Sequence, residues 1–274
     1  MKSKQYVNFI IYLIAKIKED DIFALASQLA YYLIMSFFPF VMFIMTVVGS
    51  SDFSSEKILE LMLTVLPRSV VDLTEETVFE VFNGSSKEIL GFSFLATLWS
   101  ASAGFRAVIK GVNKAYKYTE RRSFIKRSLI AMLSVLALSI IVVMVLGLIV
   151  FGTIIGRYLR EFIKFKIMAV VLIRIFRYAF VIIFMISIFT TIYVLAPSKH
   201  LKWKDGLPGA VFSTIGWMLA SVGFSFYVNN FNNYSKFYGS LGAVFIMMTW
   251  IFLVSMIFII GVEINCVIDK IKKI

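Results

Sequence analysis

Two ionisable side chains stand at the ends of long apolar runs in this 274-residue chain, Arg106 and Glu263. Ionisable groups at membrane depth usually turn inward and find a partner or a ligand. We therefore predict that Arg106 and Glu263 pair, with Asn113 and Asn265 adding hydrogen bonds, and that this cluster receives an anionic headgroup. The alternative, in which each side chain merely extends to the headgroups, is about equally compatible with the sequence.

Further polar candidates lie within or beside the apolar runs. Gln28, Tyr32 and Ser36 recur at every fourth residue, so they form one ridge on a helix, which we expect to face the bundle. Helix contact is the favoured role of this ridge, and lining a substrate path is the alternative. The stretch Tyr227–Gly242 is rich in asparagine and aromatic residues, which suits the membrane–water boundary. Its candidate lipid contacts are Asn230, Asn233 and Tyr234.

The chain offers few groups for catalysis. His200 is the single histidine, and the acidic residues concentrate in the loop Asp52–Glu88. Hydrolysis would need clustered carboxylates, a metal site or a histidine base, and no nucleotide-binding glycine loop is present. We predict no enzymatic activity, no cofactor and no metal. Cys266 is the only cysteine, so no intramolecular disulfide can form.

Composition indicates an integral membrane protein. Hydrophobic residues make up 60% of the chain and the mean hydropathy is +0.88, whereas soluble domains are about 45–50% apolar. A membrane helix needs about 20 apolar residues. We predict an all-α, single-domain bundle over residues 1–274, with six transmembrane helices. The predicted spans are Ile22–Ser51, Ile89–Phe105, Ser128–Gly156, Tyr178–Ser198, Gly206–Ser235 and Phe237–Val262.

Basic residues predict the orientation. The leader, Arg106–Arg127, Pro197–Asp205 and the tail together carry 18 of the 28 lysines and arginines. The positive-inside rule places these segments and both termini in the cytoplasm. Arg157–Arg177 is the awkward segment, because its six basic residues would lie outside unless Arg174 and Arg177 belong to the fourth helix. The net charge of +12 suits anionic lipid headgroups, and nucleic-acid binding is the weaker alternative.

Three flanking segments and one helix face complete the expected architecture. We predict that residues 1–21 form an amphipathic helix at the membrane interface and that residues 52–88 form a small external acidic cap made of helices. Residues 106–127 are predicted to form a basic helix in the cytoplasm. On the fifth span, small residues occupy one face for about four turns, which favours close helix packing over a permeation groove. These residues are Gly209, Ser213, Gly216, Ala220 and Gly223.

Several motifs in one order resemble the YihY/BrkB family over almost the whole chain. They are Ser27–Tyr32 with Ser36–Pro39, Trp99–Ser102 with Gly104–Ala107, Asn113 with Ala115–Tyr116, Leu207–Ala210, Phe231–Tyr234, Tyr238–Ala243 and Gly261–Asn265. The resemblance implies a six-span protein of the bacterial inner membrane. That family has carried the labels of serum-resistance factor and tRNA-processing ribonuclease, and some relatives are linked to envelope lipid transport. Gln28 and the lysine-rich character depart from the pattern.

Three functions from different classes fit these observations. The first, which we favour, is transport or flipping of a lipid or lipid-linked amphiphile. The second is a scaffold that does not transport and recruits partners or anionic lipid through its basic face. The third, a ribonuclease, is least favoured because the residues for that chemistry are missing. The preference for lipid transport depends mostly on the family resemblance. The expected partners are membrane lipids, anionic ones above all.

Overall fold

A computed structural model describes residues 2–49, 87–141, 166–199, 201–230 and 241–272, with isolated positions between 56 and 79. These residues form seven helices and contain no β-strand. In chain order the helices are α1 Lys2–Glu19, α2 Ile22–Gly49, α3 Lys87–Ala115, α4 Phe124–Ile141, α5 Lys166–Leu195, α6 Trp203–Asn230 and α7 Leu241–Lys272.

Helix α7 is the centre of the bundle. It packs against α1, α2, α3 and α6, while α2 also packs against α3 and α5 against α6. The main core lies around the second half of α7, where Ile259 and Val262 are fully buried. Side chains of α2, α3, α5 and α6 meet there, among them Leu25, Val112 and Tyr193. Helix α7 is apolar on nearly all its faces because its second half is buried in this core, while its first half exposes apolar side chains such as Phe245 and Met248 at membrane depth.

Hydrogen bonds show that four chain segments meet at one end of the bundle, which we call the α1 end. Lys16 of α1 contacts the carbonyl of Ala115 and the carboxylate of Glu263, and Asn113 contacts the segment after α5 through Ser198. Contacts among the leader, the end of the basic helix, the segment after α5 and the end of α7 therefore lie at the same end of the bundle. Which side of the membrane this is stays a prediction.

Several helices extend beyond the predicted spans. Helix α3 runs from Lys87 to Ala115 without a break, so the second span does continue into the basic helix. Helix α5 begins at Lys166, which places Arg174 and Arg177 within a helix, as the sequence analysis allowed. Helix α7 continues to Lys272, ten residues past the predicted end of the span. Neighbouring helices bury residues 263–267 of this extension.

Helix α3 ends in a recognisable capping motif. Lys117 has a φ of 54°, in the left-handed region that commonly follows a helix. Its N–H bonds the carbonyl of Lys114, and the N–H of Tyr118 bonds the carbonyl of Asn113. This is the Schellman arrangement, in which orphan carbonyls at the helix end are satisfied. It turns the chain sharply and brings Glu120 back toward Asn113.

The small-residue face of α6 packs closely in its first half only. A Cβ on Gly209 would collide with the backbone carbonyl of Gly261, and one on Gly216 would lie 2.8 Å from Cγ2 of Ile257. Ser213 is fully buried between α5 and α7. A Cβ on Gly223 would meet nothing within 4 Å. Close packing is therefore confirmed from Gly209 to Gly216, and the face opens beyond.

The outer surface is apolar where a membrane would cover it. Among the described residues, three stretches are long and apolar enough to cross a bilayer, namely Phe124–Ile141, Trp203–Tyr227 and Val244–Ile271, and Ile22–Phe37 and Ala179–Leu195 are shorter apolar helices. Large side chains such as Leu219, Val222 and Phe226 are exposed on α6. The six-span count stays a prediction. So does the 52–88 cap, where the isolated described positions have helical backbone.

Candidate functional site

Glu263 pairs with Lys16, a partner that the sequence analysis did not assign to it. Lys16 Nζ lies 2.6 Å from Oε2 of Glu263 and 2.7 Å from Oδ2 of Asp20. It also donates a 2.7 Å hydrogen bond to the carbonyl oxygen of Ala115, the last residue of α3. Burial opposes the charge of Lys16, but hydrogen bonds to Asp20 and Glu263 outweigh it and raise the pKa of this lysine. We call Lys16, Asp20 and Glu263 the ion cluster.

The predicted pairing of Arg106 with Glu263 is wrong, and helix register explains why. Gly111 of α3 lies beside Ile259 of α7, and the two helices run in the same direction, so Ala115 lies level with Glu263. Arg106 is nine residues before Ala115, which is about 14 Å along a helix axis. It therefore lies more than two turns deeper in the bundle than Glu263.

Asn265 stabilises the start of α6. Its Oδ1 accepts a 2.7 Å hydrogen bond from the N–H of Gly209, and its Nδ2 donates to the carbonyl of Gly206 at 3.2 Å. Pro208 lies between these two residues and has no N–H, so the helix loses a backbone bond there. The buried amide of Asn265 supplies a donor and an acceptor at that turn. We assign it a structural role.

Asn113 holds together the loops at the α1 end. Its Nδ2 donates to Oε2 of Glu120 at 2.8 Å, and its Oδ1 accepts from the N–H of Ser198 at 2.7 Å. Glu120 in turn accepts hydrogen bonds from Arg122, which hold the pKa of Glu120 below its ordinary value. Arg122 also donates to the carbonyl of Ala196. Asn113 and Asn265 thus lie in different networks, and neither contacts Arg106 in the structure.

Arg106 belongs to a cluster of arginines and aromatic rings. Its guanidinium stacks 4.8 Å from the ring centroid of Trp99 and donates to Oγ of Ser102. The guanidinium of Arg127 lies 5.8 Å from the ring centroid of Phe124, and the Trp99 and Phe124 rings meet edge to face at 6.0 Å. The two arginines are close enough for their charges to repel. We call Trp99, Arg106, Phe124 and Arg127 the arginine cluster.

No carboxylate neutralises the arginine cluster within the part of the chain that the structure describes. Glu120 is near enough for Arg127 to influence it, but its ion pair is with Arg122. Arg127 Nε and Oγ of the neighbouring Ser128 are buried without a hydrogen-bond partner. The start of α4 therefore carries two buried polar atoms without a partner, and the charge of its Arg127 repels that of Arg106.

The polar ridge on α2 faces the bundle only at one end. Ser36 is 5% exposed and lies against Gly104 of α3, whereas Gln28 and Tyr32 are exposed. Residues four apart on a helix rotate by about 40° per step, because four residues exceed one turn of 3.6. The expectation that all three turn inward is therefore wrong for Gln28 and Tyr32.

The loop candidates are largely outside the described part of the chain. Asn230 is the last residue of α6, where only its backbone is described. Asn233 and Tyr234 lie in residues 231–240, outside the described ranges, so their proposed lipid contacts stay predictions.

Lys16, Asp20, Trp99 and Arg127 are the residues that sequence reasoning missed. Lys16 and Asp20 are four apart at the end of an amphipathic helix, which is a standard ion-pair spacing. That spacing indicated a local pair but gave no information about a third partner 247 residues away. Arg127 was indistinguishable from the other basic residues of its segment.

The apolar exterior, the buried polar network and the all-helical architecture define an α-helical integral membrane protein. The family model named virulence factor BrkB matches residues 13–273, and this chain belongs to that family. The ribonuclease-like protein YfkH of Bacillus subtilis is 35% identical over 249 residues, which cover 91% of this chain and 90% of the relative.

More distant relatives carry the name UPF0761 membrane protein. One from Alteromonas mediterranea is 24% identical over 256 residues, covering 92% of this chain and 85% of its own length. One from Vibrio cholerae is 30% identical over 82 residues, covering 30% of this chain and 28% of the relative. No solved structure matches the chain.

Proposed function

We propose that this protein binds an anionic lipid, or a lipid-linked amphiphile, at the arginine cluster and moves it within or across the bacterial cytoplasmic membrane. The observation that carries the proposal is that Arg106 and Arg127 are close enough for their charges to repel and that neither forms an ion pair with a carboxylate among the described residues. Two like charges near each other are unfavourable unless an anion lies between them. A phosphate group suits them because guanidinium binds it through paired hydrogen bonds.

The surroundings favour a lipid phosphate over other anions. Trp99 is 43% exposed and Phe124 is 58% exposed, and aromatic rings are enriched at the level of lipid headgroups. Leu129, one turn further along α4, is also exposed and apolar. A headgroup at the arginines would therefore leave its acyl chains against the apolar surface of α4. Gln28 and Tyr32 stay candidate contacts on the exposed side of α2.

Neutralising Arg106 tests the proposal. We expect Arg106→Gln to reduce retention of anionic phospholipid by roughly tenfold or more, because a charged hydrogen bond contributes about 1.5–3 kcal/mol. Arg127→Gln should act in the same direction. Lys110→Gln is the matched control, since Lys110 is an exposed cation on the same helix. Native mass spectrometry of lipid bound to the purified protein measures the effect.

Reconstitution then separates binding from movement. Wild-type protein in liposomes should accelerate transfer of a fluorescent anionic phospholipid between leaflets, and Arg106→Gln should slow it. Equal lipid retention by wild type, Arg106→Gln and Lys110→Gln would reject the binding site. Retention that depends on Arg106 without any transfer would reject transport.

A scaffold is the second candidate, and exposed lysines favour it. Lys110 and Lys114 are exposed on the last turns of α3 and make no ion pair within the described residues. Such cations attract anionic membrane surfaces or acidic partners. If the scaffold function holds, Lys110→Gln should weaken vesicle binding as much as Arg106→Gln does.

The word ribonuclease belongs to the name of the relative YfkH, and no feature of the described residues supports that activity here.

The proposed orientation places both termini and Arg106–Arg127 in the cytoplasm and Asp52–Glu88 outside. It is supported by the basic asymmetry and by the acidic composition of residues 52–88. In a background lacking Cys266, we expect Ser123→Cys to react with an impermeant maleimide only from the cytoplasmic side. Ser55→Cys should react only from the outside. Labelling of both from intact cells would overturn this orientation.

A further inference from the structure

The ion cluster holds an excess negative charge in a buried position. Lys16 contributes one positive charge, whereas Asp20 and Glu263 together contribute two negative charges when ionised. Asp20 is 8% exposed and Glu263 is 0% exposed. Burying an uncompensated charge is costly, so such a group usually neutralises instead. The cluster therefore favours the uptake of one further positive charge.

One oxygen atom is free to accept that charge. Oε2 of Glu263 bonds Lys16, but Oε1 is buried and has no hydrogen-bond partner among the described residues. An ionised carboxylate normally has partners for both oxygens when it is buried. The unpartnered Oε1 is thus an independent indication that the carboxyl group binds something that the structure does not contain.

A proton fits this position better than a metal ion. Lys16 Nζ already lies 2.6–2.7 Å from three oxygens of Asp20, Glu263 and Ala115. A sodium ion bridging these groups would have to displace the ammonium group, whereas a proton on Oε1 would leave it in place. No group of three or more metal-binding side chains occurs within the described residues.

We propose that Glu263 is a proton-binding site and that its protonation loosens helix α1 from the bundle. Oε1 takes a proton from hydronium on the aqueous side, forming an O–H bond and releasing water, and the cluster changes from a net charge of minus one to zero. The ion pair between Lys16 and Glu263 is then lost. Lys16 keeps Asp20, which follows α1 in the chain, so α1 loses its charged contact with α7.

The other ionisable groups near Glu263 do not supply the missing positive charge. Helix α1 presents Lys16, Asp20 follows α1, and Tyr116 follows α3. Asp205 of α6 lies within electrostatic range of Tyr116, and Cys266 and Asp269 share α7 with Glu263. Lys117 lies within electrostatic range of Asp20, but it is exposed and its ammonium group pairs with Glu19. The remaining groups are acidic or neutral, so they favour proton uptake. The site does not depend on lipid binding at the arginine cluster.

Counting protons tests the proposal directly. Purified protein in weakly buffered detergent is acidified from about pH 8 to about pH 5, a range reached by carboxyl groups in buried sites, and uptake is followed with an indicator dye. Wild type should take up one proton per chain more than Glu263→Gln. Glu19→Gln is the matched control, because Glu19 is an exposed carboxylate on α1. Proton uptake at Glu263 in this variant should equal that in wild type.

Asp20→Asn provides a second variant that keeps Glu263. It removes the excess negative charge, so uptake at Glu263 should move to lower pH. Hydrogen exchange of α1 amides reports the coupling, and acidification should accelerate exchange in wild type. Glu263→Gln should exchange rapidly at both pH values. Equal uptake by wild type and Glu263→Gln, or a response that requires sodium at constant pH, would overturn the proposal.

Discussion

Gly209→Ala should strongly destabilise this protein, although it adds a single methyl group. The new Cβ would collide with the carbonyl oxygen of Gly261 and with the side-chain amide of Asn265. Neither can rotate away, because one is backbone and the other bonds Gly206 and Gly209. Overpacking typically costs about 1–3 kcal/mol, and we expect the upper end or more here.

Two other glycines of the same helix provide matched controls for that result. Gly216→Ala meets a methyl group of Ile257 that can rotate, so we expect a loss of about 1 kcal/mol. Gly223→Ala enters open space and should leave stability unchanged or raise it by up to about 1 kcal/mol, since alanine favours helix. Thermal unfolding in detergent measures the series. Equal unfolding temperatures for Gly209→Ala and Gly223→Ala would contradict the packing of α6 on α7.

Lys16→Met should be the most damaging substitution on helix α1. Methionine preserves most of the side-chain length but leaves Asp20 and Glu263 buried without their cation. Removing one partner of a buried ion pair costs about 3–5 kcal/mol. Hydrogen bonds to Asp20 and Glu263 raise the pKa of Lys16, so this lysine stays charged until the pH rises above its ordinary value of 10.5. Measurement at mildly alkaline pH, where Lys16 and both carboxyl groups are charged, therefore captures the whole effect.

A double substitution separates charge from packing. Glu263→Gln in the Lys16→Met background should restore part of the stability, because it removes the stranded carboxylate. Lys18→Met is the control, since Lys18 is exposed on the same helix, and it should change stability by less than about 0.5 kcal/mol. Additive losses from Lys16→Met and Glu263→Gln, as measured by thermal unfolding, would show that the two residues do not interact.

The membrane class, the helical architecture and the close packing of α6 were predictable from the sequence. Each depends on the local order of residues: long apolar runs require helices in a membrane, and small residues at spacings of three and four occupy one helical face. The burial of Gly209 and Ser213 confirms that face. The sequence left open whether Arg174 lies in a loop or in the fourth helix, and the structure places it in α5.

Partner choice was decided by the tertiary structure. Arg106 and Glu263 each directly follow the predicted end of a span, which suggested that they lie at the same depth in the membrane. Helix α3 instead continues to Ala115 and α7 to Lys272, so the predicted span ends do not mark equal depths. Helix ends in the sequence do not reveal how far two helices slide along each other, and one turn shifts a side chain by about 5.4 Å. In that register Lys16 reaches both Glu263 and the carbonyl of Ala115, whereas Arg106 stacks on Trp99 and lies within electrostatic range of Arg127.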